Sequence, residues 1–299
     1  MGLLLIFTEI LEPMRDKIHK FILAVLILVF LVSGSLFIRE VRKENEINQD
    51  MESAREAIVV NTVQNHADPN REYSDSNSKD TQSGRPLNPH EFYESYEPYE
   101  PYEFLIDWNM LRSVNKDTVA WIRFDTPSMN YLNYPIVQSY NNEVYLTKPF
   151  DSSSAHNWGT VFMHYANDPN LEDRNTIIYG HRFTLSEPRQ FSQFANYQNI
   201  DFYKENSYFY IYLPNGDIWK LDIFAVLKQR GDSWLAAYQN HISDDNFQNL
   251  IHEAIEGSFY NTGIIPSIEN NIVTLYSCVE SNSSYRYLIM ATASEKVNE

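Results

Sequence analysis

The chain has 299 residues, with 40 Asp and Glu against 23 Lys and Arg, and one cysteine. That length buries a proper core in one or two domains, and the acidic balance argues against a nucleic-acid partner, whose phosphates it would repel. A single cysteine excludes an intramolecular disulfide and leaves an intermolecular link or a reactive thiol if the chain is exported, and no Cys/His cluster has the spacing of a structural zinc site.

Phe21–Ile38 reads F-I-L-A-V-L-I-L-V-F-L-V-S-G-S-L-F-I, a stretch of about eighteen residues without a charge. That length makes a membrane span the default reading. The other reading is a cleaved signal peptide, but its apolar region would be shorter and no A-x-A site comes after it. Arg15, Lys17 and Lys20 precede the span and Arg39, Arg42 and Lys43 come after it, so the positive-inside rule is nearly balanced. Met14 opens M-R-D-K-I-H-K, a more ordinary start for a signal-anchor, and is expected to be the true start. Residues 1–20 are then a cytoplasmic N-terminus and 21–38 the anchor, held by membrane lipid.

Residues 39–103 read as a stalk. Val41–Val63 is charged and open to helix; Asn65–His90 is rich in Asn, Asp, Ser and Pro and reads as linker. Tyr93–Glu103 repeats Y-E-S-Y-E-P-Y-E-P-Y-E, a period that favours extended polyproline II, with an acidic docking strip as the alternative.

Residues 104–299 read as a globular domain. Leu105, Trp108 and Leu111 fall at helical spacing within Phe104–Val114. Thr118–Phe124 and Tyr131–Gln138 read as strands, the second demoted by Pro135 to an edge or bulge. Asn142–Leu146 reads as a helical turn, Gly159–Tyr165 and Thr176–Tyr179 as strands, and Pro188–Glu205 as helical in pieces. Tyr208–Leu213 and Ile218–Arg230 pair as a hairpin across Pro214-Asn215-Gly216-Asp217. Ser243–Gly257 is the clearest helix, with Phe247, Leu250, Ile251, Ala254 and Ile255 on one stripe. Asp245 with Gln248 resembles a capping box, and Gly257 suits the stop. Ile272–Tyr276 and Tyr285–Ala293 close the set as strands. Many short strands with inserted helices point to a mostly antiparallel barrel or sandwich.

Three residue types carry chemistry at strand ends. Cys278 lies just past Ile272–Tyr276 and Ser277; Arg286 opens the next strand; His181 lies just past Asn175–Gly180. A thiol, an imidazole and a guanidinium are the parts of acyl transfer through a thioester. Each has a bland alternative. A free cysteine packs like a small hydrophobe, and a histidine after a strand is an ordinary loop residue; His156, His164, His241 and His252 are also present. Arg286 is more telling. It shares a strand face with Leu288 and Met290, and an arginine on an apolar face needs an anionic partner or a function.

At these residues the chain resembles the sortases, membrane-anchored cysteine transpeptidases of Gram-positive bacteria. The resemblance rests on Thr274-Leu275-Tyr276-Ser277-Cys278, on Arg286 in Y-R-Y-L-I-M-A, and on N-T-I-I-Y-G-H at Asn175–His181. The last of these points to class B, as do Ala120-Trp121-Ile122, Asn133–Gln138, Tyr145-Leu146, Gly159–Phe162 and a helix ahead of the cysteine strand. Ser277, Tyr276, Val279 and His164 depart from the usual pattern without touching the three catalytic types.

The resemblance implies a closed, mostly β barrel of about eight strands with inserted helices. It implies Cys278, His181 and Arg286 as catalytic residues, with Tyr179, Tyr276 and Ser277 at the substrate. It implies cleavage of a C-terminal sorting signal of surface proteins and transfer to an amine of a cell-wall precursor or pilin, with no cofactor or metal. It places the domain outside a single-pass cell-membrane anchor. The rival readings are a tethered binding module without catalysis and a cysteine peptidase that only hydrolyses.

Overall fold

The structure, a computed structural model, describes residues 21–39, 41–42, 58–60, 104–151, 159–182, 189–231, 243–277 and 284–297. The chain forms two compact units, residues 1–49 and 50–299. The first holds helix α1, Phe21–Arg39, which is long and apolar enough to cross a membrane. Asn65–His90 and Tyr93–Glu103 lie outside the described residues.

The second unit opens on a pair of short strands. β1 (Ile58–Val60) runs antiparallel to β2 (Phe104–Ile106). Part of the expected stalk is therefore extended and tied to the domain, and helix does not run through to Val63. Asp107 then caps helix α2 (Trp108–Val114), its Oδ1 accepting the Met110 N–H at 2.9 Å. A side chain that satisfies one of the unpaired N–H groups of the first turn decides where a helix starts. This corrects the expectation of one helical face through Leu105, Trp108 and Leu111: Leu105 lies before the cap, in β2.

β3 (Thr118–Arg123), β4 (Asn133–Gln138), β5 (Phe162–Met163), β6 (Asn175–Gly180), β7 (Tyr208–Tyr212), β8 (Ile218–Arg230), β9 (Ile272–Ser277) and β10 (Tyr285–Lys296) form a closed barrel in the order β10-β8-β7-β3-β4-β5-β6-β9. Closure removes the sheet edges. Most neighbours are antiparallel, but β4–β5 and β6–β9 are parallel. β4 lies between β3 and β5, yet β5 pairs only with Val137 and Gln138. Pro135, which has no N–H to give, falls where the described ladder lies on the β3 side alone. β7 and β8 form the expected hairpin, with the Asp217 N–H held by Asn215 Oδ1 at 2.9 Å.

Between β6 and β7 the chain forms a 3-10 turn, Ser192–Gln198, and helix α3 (Ile200–Glu205). Between β8 and β9 lies α4 (Asp244–Gly257), whose Phe247, Leu250, Ile251 and Ala254 are buried. They pack on Ile177, Leu227, Tyr276, Leu288 and Met290 of the barrel. The stripe is as expected, but the cap is not. Ser243, not Asp245, caps the helix, its Oγ facing the Asn246 N–H at 3.4 Å, and Asp244 and Asp245 sit in the first turn where the helix dipole favours them. Gly257 is the last helical residue, and the cap after it, Ser258, has φ −67°, so no left-handed glycine ends the helix.

β2 also covers a buried charge. Arg123 is fully buried; its Nη1 donates to the Tyr212 hydroxyl at 2.9 Å, its Nε meets Asp125 at 2.5 Å, and the Phe104 ring lies 4.5 Å from the guanidinium. Such a pair is costly to break, because the cation then stays buried without its partner.

The packing sets two outcomes for stability. Leu250→Ala leaves a cavity under α4 and lowers stability by about 2–5 kcal/mol in denaturant titration. Removal of residues 1–49 leaves β1 and β2 in place, whereas removal of 1–103 takes β1 away and lowers Tm by roughly 2–6 °C relative to the first truncation. Equal Tm values for the two would show that β1 contributes nothing to the fold.

Candidate active site

β6 and β9 run parallel, with Ile177 opposite Thr274, Tyr179 opposite Tyr276 and Gly180 opposite Ser277. β10 runs antiparallel on the other side of β9, with Leu288 opposite Tyr276. β8 is next, with Leu227 opposite Leu288 and Gln229 opposite Arg286. Tyr179, Tyr276, Leu288 and Leu227 therefore form one row across four strands, on the face that α4 packs against. In a strand, residues two apart share a face. His181, Arg286 and Gln229 each lie two positions beyond a member of that row, at one end of the barrel.

His181 is half-buried just past β6. Its N–H donates to Gln190 Oε1 at 2.7 Å, and its carbonyl accepts the Phe191 N–H at 3.0 Å. Gly180 is needed by its neighbour: a Cβ there would lie 2.6 Å from the Phe191 ring. Arg286 is half-buried, with Nη1 donating to the Tyr285 carbonyl at 3.3 Å. Its guanidinium lies over Gly231, where a Cβ would sit 3.0 Å from Cζ. Gly231 thus lets the end of β8 approach the arginine.

Cys278 lies outside the described residues; Ser277, its neighbour in the chain, is the last residue of β9. Ser277 is buried, and its Oγ accepts the Tyr287 N–H at 2.8 Å. Tyr276 is buried too, its hydroxyl donating to the Gly231 carbonyl at 3.3 Å. Tyr179 is half-buried, edge-on to Tyr276 at 5.4 Å and stacked on Phe162 at 5.0 Å. The structure therefore brings His181, Arg286, Tyr179, Tyr276 and Ser277 to one end of adjacent strands.

Gln229 and Gln190 escaped the sequence reading. Gln229 shares the row of Arg286, and its buried Nε2 has no hydrogen-bond partner among the described residues. The period of the β8 strand could have found it. Nothing local marks Gln190, which reaches its partners through the fold. Among the described residues no group of His, Cys, Asp and Glu could hold a metal ion.

His164 sits beside this row rather than in it. It is buried, its ring 6.1 Å from that of Tyr179, and its Nδ1 accepts the Ala166 N–H at 3.2 Å. The neutral ring therefore carries its proton on Nε2. Burial pushes its pKa below the ordinary 6.5, against a smaller upward pull from Asp173.

Sortase B of Staphylococcus aureus (strain NCTC 8325 / PS 47) is 26% identical over 185 residues, which cover 61% of this chain and 72% of the relative. Sortase B of Listeria monocytogenes serovar 1/2a is 29% identical over 169 residues, 56% of this chain and 65% of the relative. Among solved structures, a substrate complex of S. aureus sortase B superposes with a TM-score of 0.58 at 25% identity, covering 64% of this chain and 86% of the other. Sortase B of Bacillus anthracis gives 0.55 at 25% identity, covering 68% and 91%. No family model matches the chain. Fold and sequence likeness agree, and the chain carries the barrel and the sequence pattern of a class B sortase.

The His164 shift has a sign. Its folded pKa lies below the unfolded value, so the unfolded chain takes up the proton first and stability falls as pH drops below 6.5. His164→Asn, which keeps an acceptor for Ala166, is expected to lose less Tm between about pH 7 and pH 5. Parallel losses in both chains would contradict a buried neutral His164.

Proposed function

We propose that this chain is a membrane-anchored sortase that cleaves a C-terminal sorting signal and passes the new carboxyl end to an amine through a thioester on Cys278. The observation that carries this is the register. The β6–β9 ladder pairs Gly180 with Ser277, the residues that come just before His181 and Cys278 in the chain. The β9–β10 ladder pairs Tyr276 with Leu288, and in the chain Cys278 comes two residues after the first and Arg286 two before the second. His181, Arg286 and Gln229 lie on the face that holds Tyr179 and Tyr276, and the proposed reaction needs the Cys278 thiol beside them.

In this reading the Cys278 Sγ attacks as thiolate. A free thiol has a pKa near 8.5, so only a few per cent is ionised near neutrality, and an adjacent imidazolium raises that fraction. The scissile C–N bond breaks as His181 gives its proton to the leaving amine, which leaves an acyl thioester. His181 then takes a proton from the incoming amine, which attacks the thioester carbonyl and expels the thiolate, restoring the imidazolium–thiolate pair. The Arg286 guanidinium donates to the substrate and to the oxyanion of each tetrahedral intermediate. The buried, internally bonded Tyr276 and Ser277 support the floor of this row, and the half-buried Tyr179 offers a ring to the peptide.

The exposed Gln248, Asn249 and Glu253 of α4 are free to face the peptide. A solved S. aureus sortase B carries a substrate and another sortase B structure carries triglycine, which supports a sorting-signal peptide and an amine acceptor here. The acceptor belongs to a cell-wall precursor or a pilin. α1 anchors the enzyme, and the domain works outside the membrane, where both reactants lie.

Residues 50–299 incubated with a peptide library and an amine test this. The unsubstituted domain yields amide-linked products. Cys278→Ala and His181→Ala abolish them with the fold intact by circular dichroism, and Arg286→Lys lowers the rate on the order of 10²–10³. Substantial turnover by Cys278→Ala would sink the thioester.

A further inference from the structure

Gln190 holds the backbone of His181 from below, and its geometry is unusual in three ways. It is one of the non-glycine residues with positive φ, at 38°, a conformation an L residue keeps only where its surroundings demand it. The residue is 5% exposed, so its amide must find partners within the protein. Both ends of that amide are used. Oε1 accepts the His181 N–H at 2.7 Å, and Nε2 donates to the Gly159 carbonyl at 3.2 Å. A carbonyl on one side demands a donor and an N–H on the other demands an acceptor, which fixes the orientation of the amide.

The same few residues tie the strand end a second time. Arg182 pairs with Gln190 as an antiparallel bridge, and the Phe191 N–H donates to the His181 carbonyl at 3.0 Å. The Phe191 ring fills the space that Gly180 leaves and stacks on Phe194 at 4.3 Å. β6 ends at Gly180, and just past it the His181 N–H is held by a side chain.

We propose that Gln190 is a positioning residue for the catalytic imidazole: its amide holds the His181 N–H and ties it to the Gly159 carbonyl, setting the backbone from which the ring acts on the thiol. The proposal rests on the reading of His181 as acid and base. A group held about 1 Å out of place loses much of its effect, so the side chain that fixes the backbone also fixes how the imidazole and the thiol share a proton.

Cys278 is the only cysteine, so alkylation of the full chain by iodoacetamide reports on it alone. The rate is measured against pH in detergent for the unsubstituted chain, His181→Ala, Gln190→Met and Gln190→Glu. Gln190→Met keeps the volume and removes both hydrogen bonds. Its profile is expected to move at least halfway to that of His181→Ala at unchanged circular dichroism. Gln190→Glu keeps an acceptor for the His181 N–H, and its profile returns toward the unsubstituted one. If Gln190→Met fails to fold, Gln190→Asn, whose amide is too short to reach His181, carries the same comparison. A Gln190→Met or Gln190→Asn profile that coincides with the unsubstituted chain overturns the proposal. A coincident profile for His181→Ala instead overturns the role of His181, whatever Gln190 does.

Discussion

The arrangement depends on one constraint, the parallel pairing of β6 with β9 inside a closed barrel. Parallel neighbours point the same way, so both strands end at the same rim. β10 runs back antiparallel from that rim and brings its first residues to the same place. β8 ends there too, at Arg230, and passes Gly231 beneath Arg286. Slipping any of these ladders by one residue would turn its functional side chain to the other face. The row of buried Tyr276, Leu288 and Leu227, with half-buried Tyr179, opposes such a slip, because it would carry apolar surface away from α4.

Parallel pairing also requires a long connection between the two strands. Here the crossover holds the 3-10 turn, α3, the β7–β8 hairpin and α4. Its parts return to support the rim. Phe191 packs on Gly180, the Tyr260 hydroxyl donates to the Tyr197 carbonyl, and the Tyr203 hydroxyl donates to the carbonyl of Ile223 on β8. The segment after α4 is bound in turn, with the Phe259 N–H on the Val226 carbonyl and the Val226 N–H on Ser258 Oγ. The site is therefore a product of the barrel and of the crossover that closes it.

Much of this was legible in the residues. The β7–β8 hairpin was written in its Asn-Gly turn, the apolar stripe of α4 in its period, and β6, β9 and β10 in their apolar β-branched runs. Strand direction was not, because alternation shows a face and never a partner. The start of α2 was missed because Asp107 interrupts a pattern that fits a helix by spacing alone. Ser243 displaced the expected capping pair for the same reason: more than one residue had the chemistry, and the tertiary position of the helix chose. β1 was hidden in a charged stretch whose three-residue strand is too short to show a period. Gln190 could not be seen at all, since its partners are joined to it only by the fold.

The proposed function requires the side chains of positions 181 and 278 to meet, and a disulfide measures that directly. Paired Cα atoms on adjacent strands lie within the roughly 4.4–6.8 Å that a disulfide spans. The full chain carrying His181→Cys, oxidised mildly with diamide, is predicted to lose both thiols and form an intramolecular bridge to Cys278. Arg182→Cys, whose side chain points to the other face, is predicted to stay reduced under the same treatment. A free thiol at 181, or a bridge at 182 in its place, would contradict the register on which the account is built.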